Sequence, residues 1–227
     1  MGSSSSFVVG LMNSLLKLKQ KKISTNELAK KSIFFEQKKL KETVGIQDQI
    51  SASYGGFNKV LINTRGNFKV EKIKLKKNIK EFNKNLFLIF TGIDRTASEI
   101  AEQYVGQLEK KKNYEMQEIT AQVNEGKRLL IKSRFDEFGK LLGEAWKFKK
   151  SLGSSITNKK IDELYDFFLK KGAIGGKLLG AGGGGFMLLY VPRNKQKFFK
   201  FKLKNKLTIV PFKFTDEGSE VLLNTEK

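Results

Sequence analysis

The sequence holds 227 residues, with 44 lysines and arginines against 23 aspartates and glutamates, a formal charge of +21, and neither cysteine nor histidine. That excludes a disulfide framework, a cysteine or histidine metal cluster and any triad with an imidazole base, so chemistry must come from carboxylates, hydroxyls, lysines and backbone amides. With 39% hydrophobic residues, 19 phenylalanines and two prolines, the chain can bury the core of one large domain or two small ones.

Phe7, Val8, Leu11, Leu15 and Leu18 share one helical face, which predicts a helix over 7–19 with Gly2 to Ser6 as the loop before it. This apolar stretch is too short to span a membrane, is interrupted by Gly10, Asn13 and Ser14, and lacks the basic segment of a signal peptide. Without cysteines or a targeting segment, a cytoplasmic location and no membrane partner are expected. Ser24-Thr25-Asn26-Glu27 has capping-box spacing and opens a second helix running to about Thr43; Gly45 separates it from a short third helix near 47–53.

From Tyr54 the pattern becomes strand-like. Val60 to Ile62, the turn Arg65-Gly66-Asn67, and then Val70, Ile73 and Leu75 predict a hairpin. Leu86 to Phe90 reads as a buried strand. Thr96-Ala97-Ser98-Glu99 is a second capping box, and helical patterns follow to about Lys171 with breaks near Asn113 and Gly153. Strands are expected at Phe186 to Val191, Thr208 to Phe214 and Val221 to Leu223. Phe199 to Lys204 alternates, and periodicity alone favours a half-exposed strand there. Strands and helices without regular alternation indicate an α+β class, with a boundary around 85–100.

Of the cations only five are arginine and 39 are lysine, a balance poorly suited to reading bases but able to attract anions such as nucleotides and sugar phosphates. Four features could carry chemistry. Gly2-Ser3-Ser4-Ser5-Ser6 leads into an apolar helix, whose first turn offers unpaired N–H groups to an anion and whose hydroxyls could touch a Mg²⁺; a simple helix cap is the other reading. Gly180-Ala181-Gly182-Gly183-Gly184-Gly185 abuts the strand at Phe186, a place that a flexible linker does not suit and that a tight, positive-φ loop does. Glu36 shares a helical face with Ala29, Ile33 and Leu40, where a buried carboxylate needs a cation such as Mg²⁺, unless the residue is at the surface. Asp48, in the first turn of its helix, either stabilises the dipole or accepts a proton from a substrate hydroxyl.

In this order the pieces resemble the GHMP family of small-molecule kinases. Gly2-Ser3-Ser4-Ser5-Ser6-Phe7 is similar to the end of that family's phosphate loop, and Leu179-Gly180-Ala181-Gly182-Gly183-Gly184-Gly185-Phe186 matches its late glycine motif throughout. Gly45-Ile46-Gln47-Asp48-Gln49, continuing to Asn58, resembles the D-glycero-D-manno-heptose 7-phosphate kinases in particular. So do Phe90-Thr91-Gly92-Ile93-Asp94-Arg95, continuing to Ile100, and Pro211 to Ser219.

The resemblance implies ATP and Mg²⁺ as cofactors and transfer of the γ-phosphoryl group to a hydroxyl of a heptose 7-phosphate. Gly2, Ser3, Ser4, Ser5 and Ser6, with Gly180, Ala181, Gly182, Gly183 and Gly184, would border the phosphates. Ser4, with Ser5, and Glu36 would hold the metal; Asp48 would face the sugar hydroxyl; Arg95, Gly183 and Gly184 would meet the substrate. The implied architecture is the rear part of a GHMP nucleotide-binding domain over 1–92 and a ferredoxin-like C-terminal domain over 93–227, which makes 194–205 a helix against its alternation. About the first third of a typical family member has no counterpart here, so apolar surface is expected to lie uncovered. Two other readings stay open: an inactive remnant or the C-terminal half of a split kinase, paired with a chain supplying the N-terminal region, and a basic nucleic-acid binder using Phe199 to Lys204.

Overall fold

A computed structural model describes residues 2–75, 78–93, 113–204 and 206–223; the capping box at Thr96 and Arg95 lie outside these. The chain divides into two compact units, one comprising Gly2–Lys74 with the segment from Phe214, the other Leu75–Lys213. No helix among the described residues is long and apolar enough to cross a membrane.

The first unit is built on three helices: α1 (Ser3–Leu18), α2 (Thr25–Phe34) and α3 (Gln47–Tyr54). The serines of the expected loop are already helical, because Gly2 takes a left-handed conformation (φ 56°) and its carbonyl accepts from the Ser6 N–H at 2.9 Å, closing the first turn. The inward face of α1 also differs from the periodic one. Ser5, Val8 and Val9 are buried, whereas Phe7, Leu11 and Leu15 stay exposed beside Phe34, Phe35 and Leu40, and Leu18 is exposed as well. Helix α2 opens on the expected capping box, in which the Ser24 hydroxyl accepts from the Glu27 N–H and the Glu27 carboxylate accepts from the Ser24 N–H. It ends in a π turn over Phe35–Lys39, closed by the Leu40 N–H on the Phe35 carbonyl at 2.9 Å.

Strands β1 (Asn58–Ile62) and β2 (Phe68–Lys72) form the predicted hairpin, antiparallel with Val60 opposite Val70. The C-terminal segment closes on the end of α3: Phe214 packs on Phe57 with ring centroids 4.5 Å apart, and the Gly56 N–H reaches the Thr215 carbonyl at 2.9 Å. Gly55 caps α3 at φ +58°, and a Cβ there would fall 2.1 Å from the Glu217 carbonyl. Gly55→Ala is therefore expected to lower the urea midpoint by an amount equivalent to roughly 1–3 kcal/mol, through overlap and backbone strain together. An unchanged midpoint would show that this seal does not hold α3.

The second unit begins with α4 (Ile79–Asn85) and β3 (Leu86–Phe90), followed by α5 (Asn113–Ile131), α6 (Phe135–Ser151) and α7 (Lys159–Lys170). Then come β4 (Gly175–Leu178), β5 (Phe186–Tyr190), α8 (Gln196–Leu203) and the two-residue β6 (Ile209–Val210). The four strands pair antiparallel in the order β4-β5-β3-β6. With the helices between β3 and β4 and between β5 and β6, this is the ferredoxin-like split βαβ arrangement and confirms the α+β class. Phe87, Ile89, Trp146, Phe168, Met187 and Phe199 lie in one buried core.

The helix that the resemblance implies over 194–205 is present, and two other sequence expectations, the strands at Thr208 to Phe214 and Val221 to Leu223, change. Residues 196–203 are helical, because Phe199 and Leu203, four apart, fill the core; the alternating Phe201 is left exposed with the Lys202 ammonium 5.5 Å over its ring. Only Ile209 and Val210 of the expected strand at Thr208 to Phe214 pair with β3. Leu222 and Leu223 form no strand and are 93% and 80% exposed.

Candidate active site

In the first unit, three separated pieces of sequence meet at the start of α1. The N–H groups of Ser3, Ser4 and Ser5 precede the first intrahelical bond and point out of a helix N-terminus, a ready anion seat. Ser3, Ser4 and Ser6 are exposed, and Ser5 turns inward. Its hydroxyl donates to Glu36 Oε1 at 3.0 Å, while Gln49 Nε2 donates to Glu36 Oε2 at 2.5 Å. Glu36 is wholly buried on the helix face that also buries Ala29 and Ser32, and the π turn over Phe35–Lys39 takes Leu40 off that face into solvent. Asp48, in the first turn of α3, sits against Gly2. A Cβ on Gly2 would lie 3.1 Å from the Asp48 carboxyl carbon, so glycine leaves room for that carboxylate beside the serine turn.

This arrangement fits a divalent cation. A buried carboxylate with two neutral donors is short of positive charge, and Gln49 Oε1 is buried with no partner. No group of three acidic residues among the described residues could cage an ion alone. That suits Mg²⁺, which takes one or two carboxylates and completes its shell with phosphate oxygens and water. The sequence reading missed Gln49. The only local sign of it is its place one residue after Asp48, on the buried side of α3.

The glycine-rich loop belongs to the second unit, where it joins β4 to β5. Gly180, Gly182, Gly183 and Gly185 all have positive φ. A Cβ on Gly182 would stand 2.7 Å from the Ile156 backbone and one on Gly184 2.3 Å from the Ile93 carbonyl. The Gly183 and Gly185 N–H groups donate to those same carbonyls, and Asn158, which caps α7, donates to the Gly183 carbonyl at 3.1 Å. The loop is thus pinned along one side, whereas Cβ positions at Gly180 and Gly185 meet nothing within 4 Å. Lys149 Nζ donates to the Gly180 carbonyl at 2.5 Å, and burial, then the charge of Lys177, draws its ammonium down to about 8. Burial lowers Lys177 as well.

Residues 1–56 match the model of the GHMP kinases N terminal domain, and residues 127–208 match GHMP kinases C terminal. The chain belongs to the GHMP kinase family. Among curated relatives, this GHMP kinase chain is 31% identical over 221 residues to D-glycero-alpha-D-manno-heptose 7-phosphate kinase of Campylobacter jejuni, covering 96% of this chain and 65% of that protein. A crystal structure of a D-glycero-D-manno-heptose 1-phosphate kinase from Bacteroides thetaiotaomicron superposes with TM-score 0.71 at 26% identity, over 96% of this chain and 61% of that one. The L. major mevalonate kinase in complex with R-mevalonate, at 18% identity and TM-score 0.69 over 97% of this chain and 67% of that one, shares the fold. The GHMP chain thus spans a little under two thirds of the heptose phosphate kinases it matches.

Proposed function

We propose that this chain carries the phosphoryl-transfer machinery of an ATP- and Mg²⁺-dependent sugar kinase whose acceptor is a heptose phosphate. The observation that carries the reading is the buried Glu36, held by Ser5 and Gln49 beside a helix N-terminus at which Asp48 abuts Gly2. Ser4, which lines the same groove as Glu36, and Ser5 would hold the cation together with Glu36. Bound there, Mg²⁺ would neutralise charge on the bridging phosphate oxygens. The N–H groups of the serine turn bind the terminal phosphates, and Gly2 allows them close to the backbone. Asp48 orients the acceptor hydroxyl and takes its proton, a role that needs no histidine. The glycine loop, in the other unit, has the tight positive-φ backbone that close approach of a phosphate requires. The names of the two heptose phosphate kinases support a phosphorylated heptose as acceptor.

A coupled ADP-release assay over neutral sugars and sugar phosphates tests this reading. Mg²⁺-dependent transfer is expected with a heptose phosphate and at least about ten-fold less with the unphosphorylated heptose, the discrimination that one charged contact supports. Equal rates with both would move the acceptor to a neutral sugar, and no transfer to any of them would overturn the proposal.

A further inference from the structure

Most lysines of this chain are solvated or lie against a carboxylate or a ring; Lys150, for example, is 2.9 Å from Asp162. Lys149 and Lys177 differ. Both are partly buried, and among the described residues neither has a carboxylate within ion-pair distance. Lys149, near the end of α6, spends its donors on the carbonyls of Gly180, at 2.5 Å, and Leu178, at 3.4 Å. Lys177 precedes Leu178 on β4, next to the carbonyl that Lys149 reaches, and its charge pushes against Lys149. Two like charges partly withdrawn from water, with no carboxylate beside them among the described residues, are unfavourable, and a bound dianion relieves both the desolvation and the repulsion.

The adjacent backbone is shaped to admit one. Carbonyls of Ile156 and Ile93 hold the far side of the glycine loop, while the space over Gly180 is open and the residue is exposed. We propose that Lys149, at the open mouth of the glycine loop by Gly180, and Lys177, beside it on β4, form a binding subsite for a phosphate monoester. Two ammonium groups suit a compact dianion better than a single carboxylate. Assigning that phosphate to the acceptor sugar rests on the kinase reading; binding of phosphate itself does not.

The test is titration of inorganic phosphate into the full chain at constant ionic strength, followed by calorimetry and by the fluorescence of Trp146, the sole tryptophan, one helical turn before Lys149. Lys149→Met and Lys177→Met are each expected to weaken binding roughly ten-fold or more, the loss of one charge-assisted hydrogen bond. Lys177→Arg should retain it. Because Lys149 also holds the loop, circular dichroism checks the fold, and Lys177→Met decides the matter if Lys149→Met unfolds. Unchanged phosphate affinity in folded Lys177→Met, or no phosphate binding by the wild type, would overturn the subsite. Parallel titrations with MgATP and heptose 7-phosphate identify its source: a loss confined to the sugar phosphate assigns it to the acceptor, and one confined to MgATP assigns it to the nucleotide. A chain that binds phosphate through these lysines yet phosphorylates no sugar would end the kinase proposal and leave the subsite standing.

Discussion

Asp48→Asn is expected to lower turnover in the phosphoryl-transfer assay by roughly 10²–10⁴-fold, the range that a positioned acid or base contributes, while MgATP affinity changes little. The side chain keeps its size, so the contact with Gly2 survives. Asp48 is exposed in the first turn of α3, and removing one charge from such a place costs only about 0.3–1 kcal/mol in helix stability. Unfolding therefore cannot account for the lost activity. What asparagine cannot do is accept the proton of an attacking hydroxyl, so kcat should fall with KM for ATP nearly constant. Calorimetric titration of MgATP into the variant separates binding from chemistry. Wild-type turnover would remove Asp48 from the mechanism.

Glu36→Gln should separate metal dependence from folding. In the metal-free protein the carboxylate is buried without a cation, so neutralising it is expected to leave stability unchanged or raise it by about 1 kcal/mol. The neighbours can adapt: Ser5 still donates to the new carbonyl, and Gln49 can turn its amide over so that its unpartnered Oε1 accepts from the new amide. With Mg²⁺ and nucleotide present the order reverses, because only the wild type gains the ligand-linked stabilisation, about 2.7 kcal/mol at a hundred-fold excess over Kd. Activity should fall by about 10²-fold or more, equivalent to roughly 2.7 kcal/mol of lost charge stabilisation. Urea melts with and without Mg²⁺ and ATP check both halves. A variant that keeps the wild-type response to Mg²⁺ would exclude Glu36 as a ligand.

Much of the scaffold was legible because its signals are local. The Ser24–Glu27 box, the hairpin turn at Arg65 to Asn67 and the apolar runs of β3 and β5 each declare themselves within a few residues. Elements whose reason lies elsewhere in the chain stayed hidden. Strand β4 reads as loop because two of its four residues are glycine, and only pairing with β5 makes it a strand. Residues 196–203 alternate in sequence, yet the core takes Phe199 and Leu203.

The candidate site divides the same way. Glu36 stood out as a carboxylate on the Ala29 face, and both residues are wholly buried. The π turn that turns Leu40 out of that face has no mark in Phe-Glu-Gln-Lys-Lys. Gln49, Lys149 and Lys177 gain meaning only from neighbours distant in sequence, and among 39 lysines nothing in the chain distinguishes two.

In the proposed mechanism the serine turn, Glu36 and Asp48 surround one metal-bound phosphate. The most direct measurement is a crystal structure with Mn²⁺ and a non-hydrolysable ATP analogue, using the anomalous signal of the metal. A peak is expected within ligand distance of Glu36 and the first turn of α1, with the γ-phosphate over Gly2 to Ser5 and facing Asp48. A nucleotide bound elsewhere, with Glu36 still closed on Ser5 and Gln49 and no metal beside it, would contradict this mechanism.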